Sequence, residues 1–303
     1  MIRKVILDTD LGSDVDDVGA LALANIFHNQ NKINLLAVTH TTSGLYGPLV
    51  CEAINEFYGN EDIPVGVYKG KEFLKKELDN NYPIPTSKAF PHKHSSVKKM
   101  PDAIDVLRNT LEHNEHVTMI FIGQLLNLAN LMKSEGGEEL INQKVDAIYI
   151  MGGAFSEITG LPRSGQPEYN LCTALEESIY VINRLKVKTV FIDGTIGLKV
   201  LTGARVCQVY GDSHIVSYAY SRYIYREKDN SRFSWDLITV YQGCLQDDYF
   251  NEVGPGIVNI DDKGNTSFKK DDNGNFYIVT ANKSYEEIKE RLETLLTEEE
   301  AYD

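Results

Sequence analysis

A chain of 303 residues with 42% hydrophobic content can bury one large core, and its length lies between one large domain and two small ones. With 44 acidic against 30 basic residues and a formal net charge of −14, it repels polyanions. Nucleic acid and an anionic membrane face are therefore excluded as partners, and small neutral or cationic ligands are favoured.

The amino terminus places only three apolar residues after Arg3 and Lys4 before Asp8 intervenes, far short of a secretory signal. A cytoplasmic protein is expected. The scattered Cys51, Cys172, Cys207 and Cys244, with no C-x-x-C pair and no zinc spacing, agree with reduced thiols there. No stretch approaches the roughly 20 apolar residues of a membrane-spanning helix.

In chain order, residues 5–7 form a short apolar strand that ends in acidic residues, and residues 18–27 (VGALALANIF) form a helix. The same alternation recurs with a strand at 35–39 and a helix at 49–58, then a strand at 117–122 and a helix at 125–132. Further strands fall at 145–151 and 189–192. Continuous apolar strands alternating with helices predict parallel β-α-β units, an α/β Rossmann-like sheet flanked by helices on both faces. Ligands of such sheets bind beyond the carboxyl ends of the strands, where Asp8, Asp10, Ile122, Gly152 and Asp193 all fall. Residues 69–100, rich in Lys, Pro, His and Asn, read as a long surface excursion able to lie over a site. Near the end, residues 266–270 and 276–279 flank Asp272-Asn273-Gly274 as a hairpin, and Ser284 with Glu287 forms a capping box that opens a last helix. A single domain over residues 1–303 is preferred.

The most informative stretch is the loop from Asp8 to Asp17, DTDLGSDVDD. Concentrating that many carboxylates at a strand end is costly unless a cation neutralises them, which points to a bound hard metal. An EF-hand is excluded by Gly12 at its fifth position, Ser13 at its sixth and Gly19 at its twelfth. An Asp-nucleophile phosphatase of the haloacid dehalogenase type wants Thr or Val at position 12, where Gly stands, and is the alternative.

The run resembles the amino-terminal signature D-T-D-x-G-x-D-D of the inosine-uridine nucleoside hydrolase family, lengthened by two residues. Four further segments look like family motifs in the family order: Phe121–Ala129 like G-P-L-T-N-L-A, Tyr149–Gly153 like M-G-G, Pro167–Asn170 like E-F-N, and Ser234–Leu237 like the late catalytic Asp segment. The resemblance implies that Asp10, Asp17, Asp236 and the carbonyl of Ile122 hold Ca2+, and that Asp10 is the base that takes a proton from water. It further implies that Asp16 binds ribose hydroxyls, that Glu168 and Asn170 hold the far side of the sugar, and that members assemble as homodimers or homotetramers. The implied reaction is hydrolysis of a nucleoside to ribose and free base.

Several positions depart from the family pattern. Gly44 stands where an Asn contacts the sugar, Ala174 where an Asp follows E-F-N, and Ser164-Gly165-Gln166 where an Asn precedes it. Trp235 replaces a His that serves as leaving-group acid; it can stack on a base but supplies no such proton. Among Tyr218, Tyr220, Tyr223 and Tyr225, the last two are expected at the base pocket by their distance from Asp236. Asp14, the extra carboxylate, is expected behind the ligands as their support. His40 is placed at a strand end with a ligand-facing or structural role, and His92, His94, His113 and His116 are expected to face water. A non-catalytic nucleoside or sugar binder is the remaining reading, motivated by Gly44 and Ala174.

Overall fold

The computed structural model describes residues 2–74, 82–163 and 165–297. Its centre is a nine-stranded sheet built from β1 (Arg3–Thr9), β2 (Ile33–His40), β3 (Val65–Val67), β4 (Val117–Phe121), β5 (Val145–Met151), β6 (Lys188–Ile192), β9 (Phe250–Ile260), β10 (Thr266–Lys270) and β11 (Phe276–Ala281). A two-stranded ribbon joins β7 (Leu201–Thr202) to β8 (Arg232–Phe233). The order is β10-β9-β11-β6-β5-β4-β1-β2-β3, with β1 to β6 parallel and β11 parallel to β6. This is the mostly parallel α/β sheet expected from the alternating pattern.

Helices α1 (Asp16–Asn29), α2 (Gly47–Phe57), α3 (Pro83–Ala89), α4 (Ala103–Glu112), α5 (Leu126–Lys133), α6 (Gly137–Lys144), α7 (Ser156–Thr159), α8 (Tyr169–Thr173), α9 (Leu175–Ile182), α10 (Gly194–Gly197), α11 (Ala204–Tyr210), α12 (Ile215–Arg222), α13 (Trp235–Cys244) and α14 (Tyr285–Thr297) follow in chain order. Val5 and Leu7 pack into the core formed with α1, α2, α12, α13 and α14, whereas Ile6 between them packs into the core formed with α4, α5, α6 and α9. Burial on both faces is why these strands read as unbroken apolar runs rather than alternating ones. None of the described helices is long and apolar enough to cross a membrane.

β1 lies between β4 and β2, so the chain leaves it toward one edge and returns on its other side. That reversal creates a crevice at the carboxyl end of β1, where the acidic loop sits. Helix α1 is apolar around its whole circumference, with residues from Asp16 to Asn25 buried, because it is sandwiched between the sheet and α13. A side chain at Gly19 would put a Cβ 2.7 Å from the Tyr220 hydroxyl and 3.2 Å from Leu237, so the close approach of α1 to its neighbours needs glycine there.

Three expectations need correction. Strand β10 does not pair with β11: β9 lies between them and is antiparallel to both, so the hairpin is β9-β10, turned at residues 261–265. The long β9 escaped notice because Gly254-Pro255-Gly256 interrupts it, a sequence that reads as a loop. The excursion at residues 69–100, whose part at 75–81 is outside the described residues, is not wholly superficial, since Tyr82, Thr86 and Ser87 are buried. His92 and His94 are half-buried; His94 pairs with the buried Glu52 through Nδ1 at 2.5 Å, while His92 bonds the Ser87 and His94 carbonyls. The capping box is present as read, with Ser284 and Glu287 bonded reciprocally.

Candidate active site

β1 ends at Thr9 and α1 opens at Asp16, so the carboxylates between them occupy a tight loop whose turn is made by Gly12 at φ +131°. Three ties fix that loop. Burial lowers the His40 imidazole to about 4, so it is neutral, and because a carbonyl only accepts, its Nε2–H donates to Leu11 O at 2.8 Å. The Tyr82 hydroxyl donates to the carbonyl of Asp14, and the Thr9 hydroxyl donates to Asp17 while accepting from Leu11 N at 3.1 Å. His40 thus supports the loop and is absent from the described residues that line the cavity.

Asp16 and Asp17 occupy the first turn of α1, and Asp236 the first turn of α13. The two helices pack side by side with these ends at the strand termini, so one oxygen from each of the three carboxylates lies within 4.8 Å of the others. The Asp236 N–H donates to Asp16 Oδ2 at 3.0 Å, although the two residues are 220 positions apart in the chain. Positive helix ends favour negative charge at both positions. Burial first, and then the neighbouring carboxylates, push all three groups well above the ordinary aspartate range. Asp10 borders the same space, with Oδ2 accepting from Ser13 Oγ and Gln124 Nε2, each at 2.9 Å. Asp14 is held by Arg232 in a two-pronged ion pair, Nη2 to Oδ2 at 2.6 Å and Nε to Oδ1 at 3.0 Å. This pair ties the extra carboxylate of the loop to the segment that leads into Asp236.

The opposite wall comes from the loop that ends in α8. Glu168 caps that helix, its carboxylate accepting from Asn170 N at 2.8 Å, Leu171 N at 3.0 Å and Gly153 N at 3.2 Å. Burial outweighs those bonds and raises its acid to about 7. Asn170 Nδ2 donates to Ile122 O at 3.1 Å, joining this wall to the end of β4. The Trp235 indole N–H donates to Gly194 O at 2.8 Å, which fixes its ring at the cavity wall.

These groups enclose a cavity of about 670 Å³, a volume suited to a ligand of nucleoside size. Asp10, Asp16, Asp17, Ile122, Glu168, Asn170, Trp235 and Asp236 all line it, as does Asp14. Tyr223 and Tyr225 do not: Tyr223 is buried against Tyr82 and beneath Arg232, and Tyr225 is 61% exposed. Distance in sequence misled here, because the turn after α12 sets the Tyr223 ring under Arg232 and leaves the Tyr225 ring edge-on to it and largely exposed. Gly44 and Ala174 are likewise not among the described lining residues, and Ser164 is outside the described residues. Sequence reasoning gave no role to Ser13, Gln124 or Arg232; the position of Gln124 directly after the strand-end pair Ile122-Gly123 was the available signal.

The donors suit a hard cation. They are oxygen atoms only, gathered where burial and mutual repulsion leave the carboxylates in need of positive charge. The inosine-uridine preferring nucleoside hydrolase family profile matches residues 5–257. The chain belongs to this family. It is an N-ribosyl hydrolase, acting on the N-glycosidic bond, and the phosphatase alternative is not favoured.

The fold of this nucleoside hydrolase is that of solved relatives of low identity. A plant nucleoside hydrolase, PpNRh1, is 19% identical with a TM-score of 0.72, over 98% of this chain and 99% of that one. The inosine-uridine preferring enzyme of Bacillus anthracis is 18% identical with a TM-score of 0.66, over 97% and 100%. The purine-preferring ribonucleoside hydrolase of Gardnerella vaginalis is 15% identical with a TM-score of 0.71, over 97% and 98%. No curated protein matches the chain. The family is metal-dependent in general, in keeping with the carboxylate group.

Proposed function

We propose that this chain hydrolyses a ribonucleoside or related N-riboside to ribose and free base with calcium as its metal. The observation that carries the reading is the meeting of Asp16 and Asp17 with Asp236 in one cavity that also presents Glu168 and Asn170. Asp10, Asp17, Asp236 and the carbonyl of Ile122 would hold the ion; that carbonyl accepts from Asn170 and keeps a second lone pair. When bound, calcium supplies the positive charge that orients water and sugar hydroxyls and makes the water more acidic.

The chain's own groups do the rest. Asp10 accepts the proton of the attacking water, with Oδ2 anchored by Ser13 and Gln124. Asp16 accepts from the ribose hydroxyls, and Glu168 with Asn170 holds the far side of the sugar. Trp235 offers its ring to the base. Cleavage develops an oxocarbenium-like cation on the ribose, so the surrounding carboxylates stabilise the transition state more than the neutral ground state. The same reading places the enzyme in the cytoplasm as a homodimer or homotetramer.

The test is a panel of ribonucleosides incubated with calcium and, separately, with a chelator, followed by assay of reducing sugar. Ribose release that the chelator abolishes, and that falls at least about a thousandfold in Asp10→Asn, is the expected result. A fully active Asp10→Asn protein defeats the assignment, and binding of ribosides without base release identifies a binding relative instead.

A further inference from the structure

We infer that Gln124 is a positioning residue that locks the carboxylate of Asp10 and the amide of Asn170 in a fixed mutual register. Its side chain is completely buried and lies behind the cavity wall. The Nε2 amide donates to Asp10 Oδ2 at 2.9 Å and to Asn170 Oδ1 at 3.2 Å. Both partners are acceptors at those atoms, so the reverse orientation of the amide would set oxygen against oxygen, and chemistry fixes which end faces them.

The backbone beneath Gln124 is held as firmly. Thr41 Oγ1 donates to the Gln124 carbonyl at 3.0 Å, and a Cβ on Gly123 would lie 2.8 Å from Asp10 N, so this turn abuts Asp10 directly. With its Oδ1 committed to Gln124, Asn170 turns Nδ2 toward Ile122 O and Met151 O. One amide thereby sets the direction of a carboxylate on the β1 loop and of an amide on α8, two groups from opposite walls of the cavity.

Gln124 Oε1 is buried with no hydrogen-bond partner among the described residues. An amide bonded at one end only is a poor choice for packing alone. A purely structural position gains little from such an amide, whereas a site that must hold a base and a sugar contact in register gains orientation.

The inference rests on the hydrolase reading, with Asp10 as base. Its test is Gln124→Met, which keeps the volume and removes both donors, assayed on whichever nucleoside the wild-type protein cleaves, with the crystal structure of the variant determined alongside. Expected are a cooperatively folded protein, a kcat lower by about ten- to a hundredfold with KM changed less, and rotated Asp10 and Asn170 side chains. Gln124→Asn, which keeps the amide on a shorter stem, is expected to recover part of the loss. A Gln124→Met protein with kcat within twofold of wild type, or with both side chains unmoved, overturns the inference. A wild-type protein that cleaves no riboside overturns the hydrolase reading instead.

Discussion

At the scale of single residues, the site divides into groups that face the cavity and groups that aim them. Asp236→Asn removes a proposed ion ligand, one of the three carboxylates that meet in the cavity, without changing shape, so calcium affinity is expected to fall at least about tenfold and ribose release with it, as checked by titration calorimetry and a reducing-sugar assay. Tyr223→Phe and Tyr225→Phe, by contrast, are expected to leave kcat/KM within about twofold, because neither ring lines the cavity. A tenfold loss in either would return those tyrosines to the base pocket. The aspartates were legible in the sequence because like charges crowded at a strand end repel one another unless a cation sits among them. Gln124 and Arg232 were not, since an amide or guanidinium that acts by orienting another side chain has no spacing signature of its own.

At the scale of elements, the juxtaposition of α1 and α13 decides whether Asp16 and Asp17 ever meet Asp236. Gly19→Val places a branched side chain where a Cβ already lies 2.7 Å from the Tyr220 hydroxyl, and the overpacking is expected to cost about 1–3 kcal/mol in thermal melts and to lower calcium affinity by separating the helix ends. A variant as stable and as tight for calcium as wild type would show that the contact yields freely. The parallel strands and their helices were readable because burial on both sheet faces writes a continuous apolar run into each strand. β9 was not, since Gly254-Pro255-Gly256 disguises it, and its position between β10 and β11 depends on pairing that local sequence does not encode.

At the scale of the whole molecule, two buried imidazoles make stability depend on pH. His40 and His214 are both held near 4 by burial, below the ordinary 6.5. Between those values the unfolded chain binds protons that these folded imidazoles refuse, so their contribution to stability is full above about pH 6.5 and falls as pH drops toward 4, by up to roughly 3 kcal/mol for each. The buried carboxyls of the site, raised by burial, act in the opposite sense. His214 stacks on Tyr210 at 4.8 Å and meets Phe57 edge-on, so His214→Phe keeps an aromatic there and is expected to flatten the decline of melting temperature between pH 6.5 and 4.5. An unchanged slope would show that His214 takes up its proton without unfolding.

Buried carboxylates gather at the mouth of the parallel sheet, and a cation that binds them in the folded state alone would raise its stability. Calorimetric titration of calcium into the metal-stripped protein tests this most directly. One ion bound per chain in the wild type, with binding weakened at least tenfold in Asp236→Asn, is the predicted result; no binding, or an affinity that Asp236→Asn leaves unchanged, would contradict it.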